Sequence, residues 1–408
     1  MSMSLTEKMQ YWRRLALERL KPSEKELEHG LELHRESFVF DAYGFMPSGG
    51  GKCPRLEQLI KEHAGRDEII LAYEEFVKNS CFDNDPAMRR LLAQAWEFSG
   101  VDCNFQNSGQ EGNSIAGLLA RLSFHTYLSD SMPELYERAV YPSQLEGIRK
   151  RGHRALYMTT NGVPVPEHLV SPHEALSHIG IFAKLGVRMM HLTYNRRNLI
   201  GDGCAEKSDA GLSDFGRMVI AEMNRTGVIP DVAHSGLKTS YDAAVCSRRP
   251  VVASHTVAGA LSTHYRGKSD EVIGAIKKSG GYVGICAFSA FLQRSRDINA
   301  FLDHIDYVAR KFGADHVAIG TDNGISLAPV DLSGLSLPPG RPIWEQYWRD
   351  REKDLSCEGL TEEDSLTLAW TNWPLFTVGL VQRGYSDEEI KKIIGGNVLR
   401  VCCETLEA

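Results

Sequence analysis

Eight short apolar, β-branched runs recur along this chain, most of them followed by a stretch with helical periodicity, and that alternation limits the fold to very few architectures. The runs cover residues 38–43, 101–106, 154–160, 187–193, 228–233, 251–254, 282–287 and 316–321. Continuous apolar character of this kind marks strands buried on both faces. Helix starts stand between and after them. Ser171-Pro172-His173-Glu174 combines a capping Ser, Pro at the first helical position and Glu at the third, and Ser386-Asp387-Glu388-Glu389 is a capping box. Parallel neighbours need a crossover each time, so eight such repeats predict an α/β fold, a closed (β/α)8 TIM barrel. The rival, a doubly wound open sheet, lacks its glycine fingerprint. Gly49-Gly50-Gly51 sits in a Pro-flanked loop with no Lys-Ser/Thr after it and reads as a flexible connection.

Residues 1–408 are expected to form a single barrel domain. Within it 1–37 is an N-terminal helical segment, 38–325 holds the strands and helices, 326–360 is a loop over the barrel mouth, and 361–408 is helical. Long intervals after the first and second strands call for extra helices on that side. The aromatic stretch from Trp344 to Trp348 suits a lid, an oligomer contact or plain packing.

A net charge of −7 offers no basic surface to nucleic acid or to an anionic membrane. No apolar run approaches the roughly 18 residues that span a bilayer, and the charged, amphipathic start is unlike a signal peptide, so a cytoplasmic protein is expected. The nine cysteines stand singly except for Cys402 and Cys403, with no Cys-x-x-Cys spacing. They read as reduced, buried thiols and not as a thiolate metal site.

In a barrel, chemistry gathers at the carboxyl ends of the strands. His234 and His255 each cap an apolar run, one strand and helix repeat apart, so their imidazoles emerge side by side at one edge. The other polar residues at these ends are Asp41, Tyr43, Asn104, Gln106, Asn161, Tyr194, Asn195, Asp322 and Asn323. Two histidines with an aspartate suggest a hydrolytic metal centre, in which the metal acidifies a bound water and Asp322 accepts its proton. His191 lies inside its strand and reads as a core-side or helix-side residue.

Several stretches carry a family resemblance: Gly211-Leu212-Ser213-Asp214-Phe215-Gly216, Asp231-Val232-Ala233-His234-Ser235, the run 251–261, His264-Tyr265-Arg266 followed by Asp270, and the runs 303–322 and 383–401. In these the chain resembles the renal (membrane) dipeptidase family, peptidase M19, of the amidohydrolase superfamily. The resemblance implies a (β/α)8 barrel, a binuclear zinc centre, hydrolysis of dipeptides or other small amides, and often a homodimer. It makes His234 and His255 metal ligands, Asp322 the residue that handles the catalytic proton, and Arg266 the one that grips the substrate carboxylate.

The other half of the implied site is altered. Asp41-Ala42-Tyr43-Gly44-Phe45 stands where the family has Asp-x-His-x-Asp, so the metal-binding His is Tyr43 and the metal-binding Asp is Phe45. The bridging Glu falls on Asn161 and the substrate-binding His on Tyr194. Phe45 ligates nothing, Tyr43 is a poor ligand with an unperturbed pKa of about 10, and Asn161 lacks the charge to bridge two cations. One zinc is therefore expected rather than two, with none as a further outcome, on His234 and His255 plus a third ligand such as Asp322 or the Asn161 amide oxygen. Tyr43 and Tyr194 are expected as hydrogen-bond donors to a reacting oxygen, and Arg266, Asn161 and Tyr194 as substrate contacts.

The expected function is that of a dipeptidase-like metallohydrolase cleaving an amide in a small, carboxylate-bearing substrate. Two alternatives stand beside it: a lyase or isomerase acting on a modified amino acid, and a binding protein without turnover.

Overall fold

The computed structural model describes residues 3–83, 85–109, 114–166, 171–336, 346–356 and 361–406. Nine strands are assigned among them: β1 (Phe40–Gly44), β2 (Cys103–Asn107), β3 (Tyr136–Arg138), β4 (Arg154–Thr160), β5 (Val187–His191), β6 (Ile229–Asp231), β7 (Ala253–Thr256), β8 (Val283–Ile285) and β9 (Val317–Ile319). All the ladders are parallel, in the orders β1-β2-β4-β5-β6 and β7-β8-β9. Two sets of hydrogen bonds join these halves into a closed barrel. Val232 donates to Val252 O and Val252 to Pro230 O between β6 and β7, while Asp322 donates to Tyr43 O and Phe45 to Asn323 O between β9 and β1.

The eight expected staves are all present. The sequence reading missed β3, a three-residue strand that pairs with the first residues of β4. It carries Glu137 and Arg138 and stands outside the barrel, so no apolar run announces it.

Each stave sends a side chain into the floor of the barrel: Phe40, Phe105, Tyr157, Met189, Ile229, Val252, Tyr282 and Ala318, all fully buried. Phe40 stacks on Phe105 and Tyr157, with centroids 5.2 and 5.8 Å away. This plug makes the barrel a packed core and leaves only its upper end for chemistry. The long intervals carry the expected helices, Pro54–Lys61, Arg66–Lys78 and Pro86–Ser99 before β2 and Ile115–Ser131 after it. Both sequence-read caps form: Ser171 Oγ accepts from Glu174 N, and Ser386 and Glu389 close a capping box. Among the described residues no helix is long and apolar enough to cross a membrane.

A β-bulge between Asp41 and Gly44 adds one residue to β1 against β2. It breaks the two-residue alternation, so Tyr43 turns into the barrel while Asp41 turns away. Asp41 Oδ1 accepts from Thr321 N and Tyr43 N, and Oδ2 from Thr321 Oγ1 (2.6 Å) and from the indoles of Trp370 and Trp373. Burial pushes this carboxyl up to about 7, against the pull of those donors. Asp41, counted by strand position among the candidates for chemistry, is the clasp of the β9–β1 seam.

The triple glycine is also not a free connection. Ser48 and Gly51 bridge Ser326 and Val330, and a Cβ on Gly50 would lie 2.1 Å from Ala328 O. Glycine is needed there because two backbones touch.

Candidate metal centre

His191 ends β5, His255 lies in β7, and His234 stands three residues beyond β6. The three imidazoles are buried and offer ligand nitrogens within 4.8 Å of one another. Nε2 of His234 and Nε2 of His255 are 2.9 Å apart. The expected pair does converge, and His191 joins it. The sequence reading assigned His191 to the core or helix side, whereas its ring stands edge-on to His234, His255 and Tyr43, each 5.3 Å away. Strand parity held the signal, because His191 follows the inward-facing Met189 by two.

Each ring is fixed from behind. His191 Nδ1 meets Thr160 O, His234 Nδ1 meets Asn195 Oδ1, and His255 Nδ1 meets Ser254 Oγ, all at 2.8 Å. Ser254 Oγ in turn donates to Asp231 Oδ2. Asn195 adopts a left-handed φ of 55° and also accepts from Cys204 Sγ. Burial, reinforced by Arg266, holds His234 and His255 well below the usual imidazole range, so both are neutral.

Arg266 is fully buried beside them. Its Nη2 donates to His255 O at 2.8 Å, and its Nη1 lies 3.0 and 3.1 Å from the two nitrogens of His234, which puts the guanidinium against the ring face. Its Nε has no protein partner. Lys268, unsuspected from sequence, is buried behind the site with Nζ on Ser235 O and Ser240 Oγ, and burial lowers it to about 8.

The remaining expected residues take up distinct places. Tyr43 stacks on His255 at 3.8 Å and donates its hydroxyl to Asn161 Oδ1 at 2.7 Å, so that hydrogen serves Asn161 and not a reacting oxygen. Tyr194 stacks on His234 at 4.2 Å. Asp322 follows β9 with a left-handed φ of 53°, and burial raises its carboxyl to about 6 although Arg266 and His191 pull it down. Asn104 and Gln106 are brought elsewhere: Gln106 Oε1 accepts from Met46 N and Asn104 Nδ2, tying down the loop after β1.

Residues 346–356 cover this end of the barrel. Tyr347 meets Tyr194 edge-on at 5.5 Å, Arg196 donates to Trp348 O, and Tyr265 donates to Asp354 Oδ2. Trp348 packs on Phe291, over which Arg266 also lies. Trp344, where the aromatic stretch was expected to begin, lies outside the described residues.

The family model of the membrane dipeptidases, peptidase family M19, matches residues 84–339. The chain belongs to this family. Among its curated relatives, dipeptidase verJ of Clonostachys rogersoniana is 29% identical over 226 residues, covering 53% of this chain and 48% of that protein. The chain thus spans about half the length of the curated relatives it matches. A solved amidohydrolase from Pseudomonas aeruginosa shares the fold with a TM-score of 0.67 at 23% identity, over 93% of this chain and 99% of that one. So does a metallo peptidase from Rhodobacter sphaeroides, solved with a phosphinate mimic of the dipeptide L-Ala-D-Ala (TM-score 0.63, 16% identity, 91% and 100% covered). The family's fold is what the eight staves build here.

Proposed function

We propose that this member of the family is a dipeptidase-like metallohydrolase that cleaves the amide of a small substrate bearing a free carboxylate. One observation carries the reading: Arg266 is buried against the converging imidazoles of His234 and His255 with its Nε left without a partner. A guanidinium in that setting recognises a planar anion, since Nε–H and a neighbouring N–H form a fork matched to a carboxylate.

The residues fit a cation, because two neutral imidazoles face each other through nitrogens whose outer partners are already set. Bound there, a divalent ion supplies an acidified water and polarises the scissile carbonyl. The chain does the rest. Arg266 holds the carboxylate and so sets the distance from the substrate's end to the bond that breaks. Asp322 accepts the proton of the attacking water and returns it to the leaving amine. Tyr194 donates toward the carbonyl oxygen, and Tyr43 acts through Asn161, whose amide it orients. The segment 346–356 limits access of bulk water. Zinc as the ion and a homodimer as the assembly go with this reading on family grounds. The cytoplasm goes with it on the free thiols among the described residues.

The test is a panel of dipeptides and their C-terminal amides offered to the zinc-loaded chain, with release of free amino acids as the readout. Release from free-carboxylate dipeptides, lost in Arg266→Ala, is the expected result. A loaded, folded chain that releases nothing across the panel would sink the proposal.

A further inference from the structure

His191 has no counterpart in the ligand set that the family resemblance implies, yet its surroundings are those of a ligand. Thr160 O is a carbonyl and only accepts, so His191 Nδ1 carries the hydrogen between them. Ser254 gives its one hydrogen to Asp231, so its oxygen accepts from His255 Nδ1. Asn195 Oδ1 already accepts from Cys204 and likewise takes its second hydrogen from His234 Nδ1. Every Nδ1 thereby turns its hydrogen to an outer partner, which leaves Nε2 of each ring as the nitrogen available to an ion. His191 Nε2 makes no hydrogen bond, although Asp231 Oδ2 lies 3.0 Å away and out of line. Nε2 of His234 and Nε2 of His255 stand 2.9 Å apart, and the ligand nitrogens of the three rings lie within 4.8 Å of one another, a spacing that one ion can span.

Aromatic side chains stand where the family resemblance implies the ligands of a second ion. Tyr43 covers the face of His255 and is hydrogen-bonded to Asn161, and Phe45 stands edge-on to Tyr43 at 5.9 Å.

We propose that this chain is a mononuclear, three-imidazole centre: one divalent transition-metal ion held by Nε2 of His191, His234 and His255, with the family's second metal position filled by aromatic side chains. The inference deepens the hydrolase reading and shares with it the ion on His234 and His255. Three neutral nitrogens leave the ion its full charge, whereas a carboxylate ligand would offset part of it. Such a set selects zinc, cobalt, nickel or copper over magnesium and calcium, which prefer oxygen. It also leaves a fourth position for water, the arrangement of catalytic zinc sites with three protein ligands. Thr160 O, Asn195 and Ser254–Asp231 are the outer partners that fix the tautomers.

The experiment uses the full chain, stripped of metal and titrated with Zn2+ or Co2+ alone. Elemental analysis counts ions, chelator competition gives affinity, and metal-edge X-ray absorption counts imidazoles. The expected result is one ion per chain with three imidazoles. His191→Asn should weaken zinc binding by at least about 10²-fold, and Ser254→Ala by about 10- to 100-fold, the usual effect of losing an outer partner. Absorption on the unmutated chain decides the ligand count even if His191→Asn misfolds. Two ions per chain, two imidazoles with carboxylate oxygens, or a folded chain that retains no ion would overturn the inference. An ion on three imidazoles with no dipeptide cleaved defeats only the hydrolase reading, whereas cleavage by a chain that holds no ion defeats this one.

Discussion

Tyr43 lies nearly flat on His255, ring centroids 3.8 Å apart and planes 18° from parallel, with its hydroxyl on Asn161. An aromatic wall thus stands where the family resemblance implies metal ligands. Replacing it with Tyr43→His, Phe45→Asp and Asn161→Glu together should raise the zinc content from one ion per chain to two, measured by elemental analysis. A triple variant that folds and still binds one ion would show that these positions are not the missing half of the site.

Arg266→Lys should lower kcat/KM for a free-carboxylate dipeptide by about 10²-fold, in line with the 2–5 kcal/mol lost when one partner of a buried charge pair is truncated. Lysine keeps the charge but not the fork. The C-terminal amide of the same dipeptide, which has no anion to hold, should change little. Paired kinetics on the two substrates check this, and equal losses on both would assign Arg266 to packing.

Asp322, raised to about 6 by burial, accepts a proton only when ionised, so kcat/KM should fall about tenfold per unit as pH drops below 6. Asp322→Asn should cost at least about 10²-fold in kcat. Stability moves the other way. The folded chain holds this proton more tightly than the unfolded one, so the group stabilises the fold below pH 4 and that contribution is lost as pH rises through 6. A pH–rate profile and urea melts at matched pH separate the two effects.

Asp41→Asn should lower the free energy of unfolding by about 3 kcal/mol, because the new amide turns an NH2 toward donors that now meet a carboxylate. Urea denaturation measures it. A change below about 1 kcal/mol would mean that the seam is held by its backbone bonds alone.

The barrel was legible because burial on both faces writes itself into a strand locally. The run at 154–160 coincides with β4, and the other strands differ from their runs by a few residues at the ends. What escaped was non-local. Only packing against Ala328 shows why Gly50 is glycine, and only the extra residue in β1 shows that Asp41 and Tyr43 face opposite ways. His234 and His255 stood out because each ends an apolar run. His191 was hidden within its strand, and strand parity alone pointed inward. Asp231 and Ser254, which set the His255 tautomer, carry no sequence signal beyond being polar at strand ends.

Trp373 reaches Asp41 across 332 positions of sequence. During synthesis the first strand therefore leaves the ribosome long before its indole partners exist, and so does the last strand that it must meet. Two of the donors that hold the Asp41 carboxylate, the indoles of Trp370 and Trp373, are thus missing from any chain cut short before them, although Thr321 and the backbone bonds of the seam are already in place.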